Sequence, residues 1–383
     1  MAWERVKPVI AELSEPPSLS GWLLAGVLTL IVGVLLFVLH ASEVLKPLSS
    51  LNIWWLSLSP SGVWLFIFCL RGWLWDREVA EHQFQKNEAE YGQQQWESWA
   101  ERHLGILGSC VLLPNGINAD NILLADNNLP TQNALTCRIF DNLPDIADLM
   151  RQCLAGVQEA LTALPSELPL KITLLTDRTE RRDLLSGLDS AWKSLFPCRG
   201  VPCDIAVTDS LLMSWVEQRI TQPVLTVDLI LVLQLNGHDS YSDGLAALLL
   251  TSDDVVQKYQ LPHMGRLLRP MSLDMTHFAD EFRLFLETQT AATRTDRIVC
   301  DDSVWREILP EVLTIGAKQK ALWGSGDTVM LERWAGVPGP AATWILTALA
   351  AEIADRKGDS LLMLYAATTG HYVSSVIPGS ENG

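Results

Sequence analysis

The chain has 383 residues, 48% of them hydrophobic, and 45 Asp and Glu stand against 28 Lys and Arg for a net charge of -17. An acidic chain without clustered Lys or Arg excludes a nucleic-acid partner, because phosphate backbones are held by grouped cations. Its length accommodates two domains, or one large domain with an anchor. Seven cysteines, an odd number placed mostly inside apolar segments, fit reduced core thiols better than a disulfide framework.

The first apolar run, WLLAGVLTLIVGVLLFVL at 22–39, has no charge. At about 1.5 Å per helical residue it covers roughly 27 Å, enough for a hydrocarbon core with its flanks. A signal peptide would be shorter and would be followed by a small-residue cleavage site. A second run, IWWLSLSPSGVWLFIFCL at 53–70, is interrupted by Ser59-Pro60-Ser61-Gly62. Trp22, Trp54, Trp55, Trp73 and Trp75 cluster at the ends of these runs, where indoles prefer the headgroup level. Arg5 and Lys7 precede the first run, Arg71 and Arg77 follow the second, and the loop at 40–52 offers only Lys46. The positive-inside rule then predicts a transmembrane hairpin with both ends in the cytoplasm. Residues 76–103 are rich in helix formers and read as a helical stalk. Trp96 and Trp99 share one face of it, either docking the stalk or offering an aromatic patch to a partner.

Beyond residue 103, strands and helices alternate. Strands are expected at 104–114, 133–141, 170–177 and 203–209, and helices at 145–164, 181–196 and 210–220. The runs LILVLQLN and GLAALLLTS then form a hairpin, and continuous apolar strands of this kind suit a sheet covered on both faces. A second series follows: a helix at 274–289, a strand at 296–302, helices at 305–318 and 339–357, and a closing pair, SLLMLYAAT and HYVSSVIP, turning at Thr369-Gly370. Pro340 near the start and Gly358 just past the end delimit the apolar helix 339–357. Helix, strand, turn, strand thus occurs twice, which predicts two related halves at 104–260 and 261–383 behind an anchor (1–75) and a stalk (76–103).

This duplicated α/β pattern, with two βαβαβαββ-type halves, resembles the thiolase-like fold of ketoacyl synthases. DGLAALLLTSDD is similar to the family's strand-feeding glycine turn, and GDTVMLERWAGVPGPAATW is a broken version of the segment opening its second central helix. The resemblance implies a cysteine nucleophile where a strand turns into the first half's central helix, with histidines, or a histidine and an asparagine, from the second half. No expected helix of the first half begins with cysteine; Cys153 lies inside one, as a buried thiol would. His371 reads as a turn residue, and His263 and His277 are isolated. The acidic pairs Asp253-Asp254 and Asp301-Asp302 read as solvated loops. No nucleophile elbow, phosphate-binding glycine loop, cofactor motif or metal-ligand cluster is present, and CRGVPC lacks a second ligand pair for zinc.

A narrower resemblance is to bacterial type VI secretion adaptors for lipase effectors, which have an N-terminal apolar segment, a Trp-containing stretch such as WESWAERHLGILG, and an inactive thiolase-like body. It implies a non-catalytic inner-membrane protein, its soluble domain cytoplasmic, whose partners are a lipase effector and a secretion spike component. Two alternatives stay open. One is a membrane-associated acyl-transfer enzyme, with Cys110, Cys137 or Cys153 beside a histidine in a pocket. The other is a periplasmic immunity or envelope protein with the opposite topology.

Overall fold

The computed structural model describes all residues except 1, 2, 4, 7, 11, 43–51, 124–131, 142–143, 368–369 and 380–383. Lys7, Lys46 with most of its loop, and Thr369 of the expected final turn lie outside the described residues. The chain divides into two compact units, Val6–Gln95 and a body made of Met1–Arg5 with Trp96–Gly383.

In the first unit, helix α1 (Leu19–Ala41) packs antiparallel against the start of α2 (Ile53–Ala100), with Trp22 against Phe68 and Phe37 against Trp54. Gly26 and Gly33 let the helices approach: a Cβ at either would strike the Trp64 ring or the Ser57 carbonyl. Both helices are long and apolar enough to cross a membrane. The expected interruption at Pro60 does not break α2. Proline leaves the Leu56 carbonyl without its usual partner, and the Ser59 hydroxyl donates to it at 3.1 Å.

In the body, β1 (His103–Leu112), α3 (Ala119–Leu123), α4 (Ile146–Gly156), α5 (Gln158–Ala163), β2 (Leu170–Thr176), α6 (Arg181–Leu195), β3 (Asp204–Thr208), α7 (Ser214–Thr221), β4 (Val227–Gln234) and β5 (Gly244–Ser252) make the first half. The second contains α8 (Asp253–Tyr259), β6 (Gly265–Leu268), β7 (Met271–Leu273), α9 (Phe278–Thr288), β8 (Arg297–Cys300), α10 (Trp305–Lys318), β9 (Thr328–Met330), α11 (Leu331–Ala335), α12 (Ala342–Lys357), β10 (Leu361–Ala367) and β11 (Gly370–Pro378). All are strung on one sheet in the order β3-β2-β4-β5-β1-β6-β11-β10-β8-β9, with β7 also paired to β11. Reading outward from the β1·β6 junction, each half has the same succession, and in each the last strand in chain order, β5 or β11, runs antiparallel to its neighbours. The mixed α/β duplication expected from the repeat is present.

Two aspartates make the repeat chemical. Asp177, just past β2, accepts the Leu235 and Asn236 amides at the end of β4, and Asp301, just past β8, accepts the Ala366 amide of β10 with both oxygens. The stretches that carry them, TDRTERRDLL and CDDSVWREIL, align with their aspartates in register. Asp301 is therefore no solvated loop acid: it is buried, and burial pushes its carboxyl up to about 7. Asp253 and Asp254 do meet solvent and pair with Arg102.

Burial explains the strands and helices that form. Every residue of β4 and β5 is buried, so apolar side chains on both faces stabilise them. Helix α12 is buried from Ala342 to Ala354 and ends where Gly358 adopts φ 73 and returns its amide to the Ala354 carbonyl. Two expectations fail. Residues 133–141 form no strand, because their groups are satisfied singly: the Cys137 amide by Ser242 Oγ and the Ile139 amide by Asp243 Oδ2. The helix expected at 145–164 breaks at Val157 into α4 and α5.

The N-terminal residues are part of the body. Trp3 is buried, 5.2 Å edge-on from Trp99 and 5.4 Å from Phe285, and Arg5 donates to the Glu287 carbonyl and to Thr288 Oγ1. Trp99 covers the Arg269 guanidinium at 4.0 Å and takes Arg269 Nε on its carbonyl, while Trp96 meets Trp99 edge-on at 5.3 Å. Trp3→Ala is expected to cost about 3 kcal/mol, as truncation of a buried indole does. Denaturant unfolding in detergent measures it, and an unchanged unfolding free energy would refute the docking.

Candidate active site in the cleft between the halves

Strand β1 pairs with β6 only through Ile106, opposite Gly265. Past that point its outer edge faces no strand, and the halves part to leave a cleft of about 560 Å3. Leu107, Val157, Ala160, Leu164, Leu261 and Met264 give it apolar wall, while Cys110, His263, Glu352 and Arg356 bring functional groups to it.

Glu352 occupies this edge for a structural reason. It lies on α12 among alanines and isoleucine, and its Oε1 accepts the Val111 amide at 2.8 Å, satisfying a backbone donor that β6 leaves open. Burial pushes its carboxyl up to about 7, with the Val111 amide and Arg356 opposing that rise and Asp120 and Asp355 adding to it. Arg356 stands 3.8 Å from Glu352 Oε2 and also pairs with Asp120 of α3. One residue away from Val111, Cys110 lies against Gly156 at the end of α4, a position that only glycine leaves free. Burial, and then the nearby Glu352 charge, push its thiol up to about 11, so the thiol is protonated at neutral pH. His263 enters from the loop before β6, its Nδ1 3.4 Å from the Leu261 carbonyl.

The other sequence candidates stay apart from this cleft. Cys153 is fully buried in α4 and its thiol is raised by burial; Cys137 donates to Gln132 Oε1 at 3.3 Å. His371, on β11, meets the Trp305 ring edge-on at 5.4 Å and is held below its ordinary value by burial. His277 pairs with Asp274 at the surface. The turn from β3 into α7, where the resemblance implies a nucleophilic cysteine, reads Asp209-Ser210-Leu211-Leu212-Met213. Among the described residues no cluster of metal-ligating side chains occurs. Of the three thiols the sequence offered, Cys110 is the one that lines this cleft, with His263; Glu352 was passed over, although a single acid inside an apolar helix was a visible signal.

No protein-family model and no curated protein matches this chain. Solved structures do. A 3-oxoacyl-[acyl-carrier-protein] synthase III from Aquifex aeolicus is 13% identical, with TM-score 0.44, over 72% of this chain and 99% of its own. The corresponding enzyme of Pseudomonas aeruginosa, FabH, is 15% identical, with TM-score 0.44, over 73% and 99%. OleA of Xanthomonas campestris, bound to cerulenin, is 12% identical, with TM-score 0.47, over 74% and 98%. This chain is similar to them in its mixed α/β build, and at such identity its chemistry rests on its own residues. None of the three is described as an adaptor or a secretion component, and two are named synthases. The expectation of a non-catalytic type VI adaptor is corrected on that finding.

The sign of the Glu352 shift fixes a pH dependence. A carboxyl raised in the folded state from 4.5 to about 7 keeps its proton after the unfolded chain has lost it, so stability falls as pH rises through that window. At 1.36 kcal/mol per unit the loss is at most about 3 kcal/mol. Glu352→Gln removes it, so the variant is expected to gain on the parent protein between pH 4.5 and 8 in denaturant unfolding. A constant difference across that range would show that Glu352 does not titrate there.

Proposed function

We propose that this chain is a membrane-anchored acyl-transfer enzyme acting on acyl thioesters, with its chemistry in the cleft between the halves. One observation carries the reading: a thiol and a carboxyl that titrates near neutrality line the same apolar-walled cleft. The names of its structural neighbours, synthases acting on acyl chains, agree with that class.

The chemistry follows from the two groups. Cys110 is a weak nucleophile at rest because it is protonated, so its proton must leave as sulfur attacks. Ionised Glu352 accepts that proton while Cys110 Sγ bonds to the thioester carbonyl carbon. The substrate's own C–S bond then breaks, and its thiolate takes the proton back from Glu352 and departs as a thiol. The acyl group remains on Cys110 until an acceptor nucleophile displaces it. Apolar wall from Leu107, Val157 and Leu164 holds the chain, and His263 is available to donate to the developing oxyanion.

Two helices long and apolar enough to span support work at a membrane. Residues 1–5 and 96–383 belong to one body, so an even number of crossings separates Arg5 from Trp96, as two spans provide. Arg5, Arg71 and Arg77 flank the spans and favour the cytoplasmic side of a bacterial inner membrane. Alkaline phosphatase fused after residue 383 is expected to be inactive; an active fusion would reverse the orientation.

Release of free thiol from long-chain acyl thioesters by the full chain in detergent tests the activity. Cys110→Ala is expected to abolish it. Glu352→Gln is expected to lower it at least 100-fold and to remove the rise in rate through pH 7. Turnover that survives Cys110→Ala, or is absent from the folded parent protein, would overturn the proposal.

A further inference from the structure

A second cavity, of about 290 Å3, opens beside the edge strand β9. Arg297, Arg306 and Arg333 line it together with Thr328, Ile122 and Trp334, and among the described residues no carboxylate does. In a chain of net charge -17, three guanidiniums lining one cavity, with only Arg297 paired to a carboxylate, run against the composition. Their individual states sharpen this. Arg297 gives only Nε to Asp359, at 3.1 Å, which leaves its two terminal nitrogens uncommitted. Among the described residues no carboxylate pairs with Arg306 or Arg333, and the Arg333 guanidinium lies 4.8 Å over the Trp334 ring. Thr328, which also lines the cavity, has a buried Oγ1 without a hydrogen-bond partner among the described residues.

We propose that this cavity binds a phosphate-class anion, a phosphomonoester or phosphodiester. Planar guanidiniums offer paired donors that match phosphate oxygens, and three of them with a hydroxyl suit a tetrahedral group better than a planar carboxylate. Ile122 and Trp334 add apolar wall for whatever the phosphate is attached to. The site is separate from the cleft that holds Cys110 and does not depend on the acyl-transfer reading.

The ligand can be a soluble phosphate compound or a lipid headgroup, and two arms separate them. The full chain in phosphatidylcholine nanodiscs is titrated calorimetrically with inorganic phosphate and with glycerol 3-phosphate. Binding is expected, weakened at least tenfold in Arg306→Gln/Arg333→Gln, whose exposed side chains make no ion pair the fold needs. In the second arm, melting is compared in phosphatidylglycerol and phosphatidylcholine nanodiscs. An arginine-dependent rise in the anionic lipid assigns the site to a headgroup; arginine-dependent phosphate binding without it assigns the site to a soluble compound. If neither arm responds to loss of the two arginines, the proposal is wrong. A circular dichroism spectrum matching the parent protein excludes misfolding of the variant.

Discussion

Everything distinctive in the body follows from one unfinished strand pairing. β1 meets β6 through Ile106 and then loses it, yet a backbone donor beside buried apolar surface cannot go unsatisfied without a cost of roughly 1–3 kcal/mol. Glu352 resolves the problem at Val111 by bringing a carboxylate into a place that water has largely left. That solution has its own cost, because the same burial raises the carboxyl toward neutrality. A structural requirement at a sheet edge thus produces a titratable group in a cleft that a thiol also lines.

The duplication makes such a junction unavoidable. Each half buries β4 or β10 by flanking it on both sides, and each ties the strand's end with an aspartate, Asp177 or Asp301. The halves differ where they meet, since their central helices are unequal. α12 has sixteen residues and is nearly all buried, whereas α7 has eight. Trp344 of α12 joins them by donating to the Leu211 carbonyl and meeting Trp215 edge-on at 5.8 Å. The longer helix reaches the free edge of β1, so the cleft is built from its C-terminal turns.

Much of this architecture was legible. VDLILVLQ and GLAALLLTS are continuous apolar runs, and only a strand buried on both faces explains them at that length. The helix at 339–357 announced its burial and both its ends. LTCRIF misled because alternating apolar residues imitate a strand, while its amides are answered one by one from the turn before β5. β6, β7 and β9 are three or four residues long, too short for any period to register. β6 is the strand whose early end opens the cleft. Cys110 was legible as a candidate thiol, but the cleft it shares with Glu352, 242 positions away, was not, because that cleft opens where a four-residue strand stops.

The same logic bears on where a nucleophile sits in a duplicated fold. A cysteine at a helix N-terminus is activated by the helix itself, through its open amides and its dipole. The β3–α7 turn carries no cysteine and leads into two turns of helix, so that source of activation is weak here. Cys110 has the opposite surroundings: it faces the C-terminal end of α4 and a buried acid, and both disfavour a thiolate. A thiol so placed can act only if its proton is removed as the new bond forms. The group able to do so must be close, titrate near neutrality and be fixed in place. Glu352 titrates near neutrality, and the Val111 amide fixes it in the wall of the same cleft.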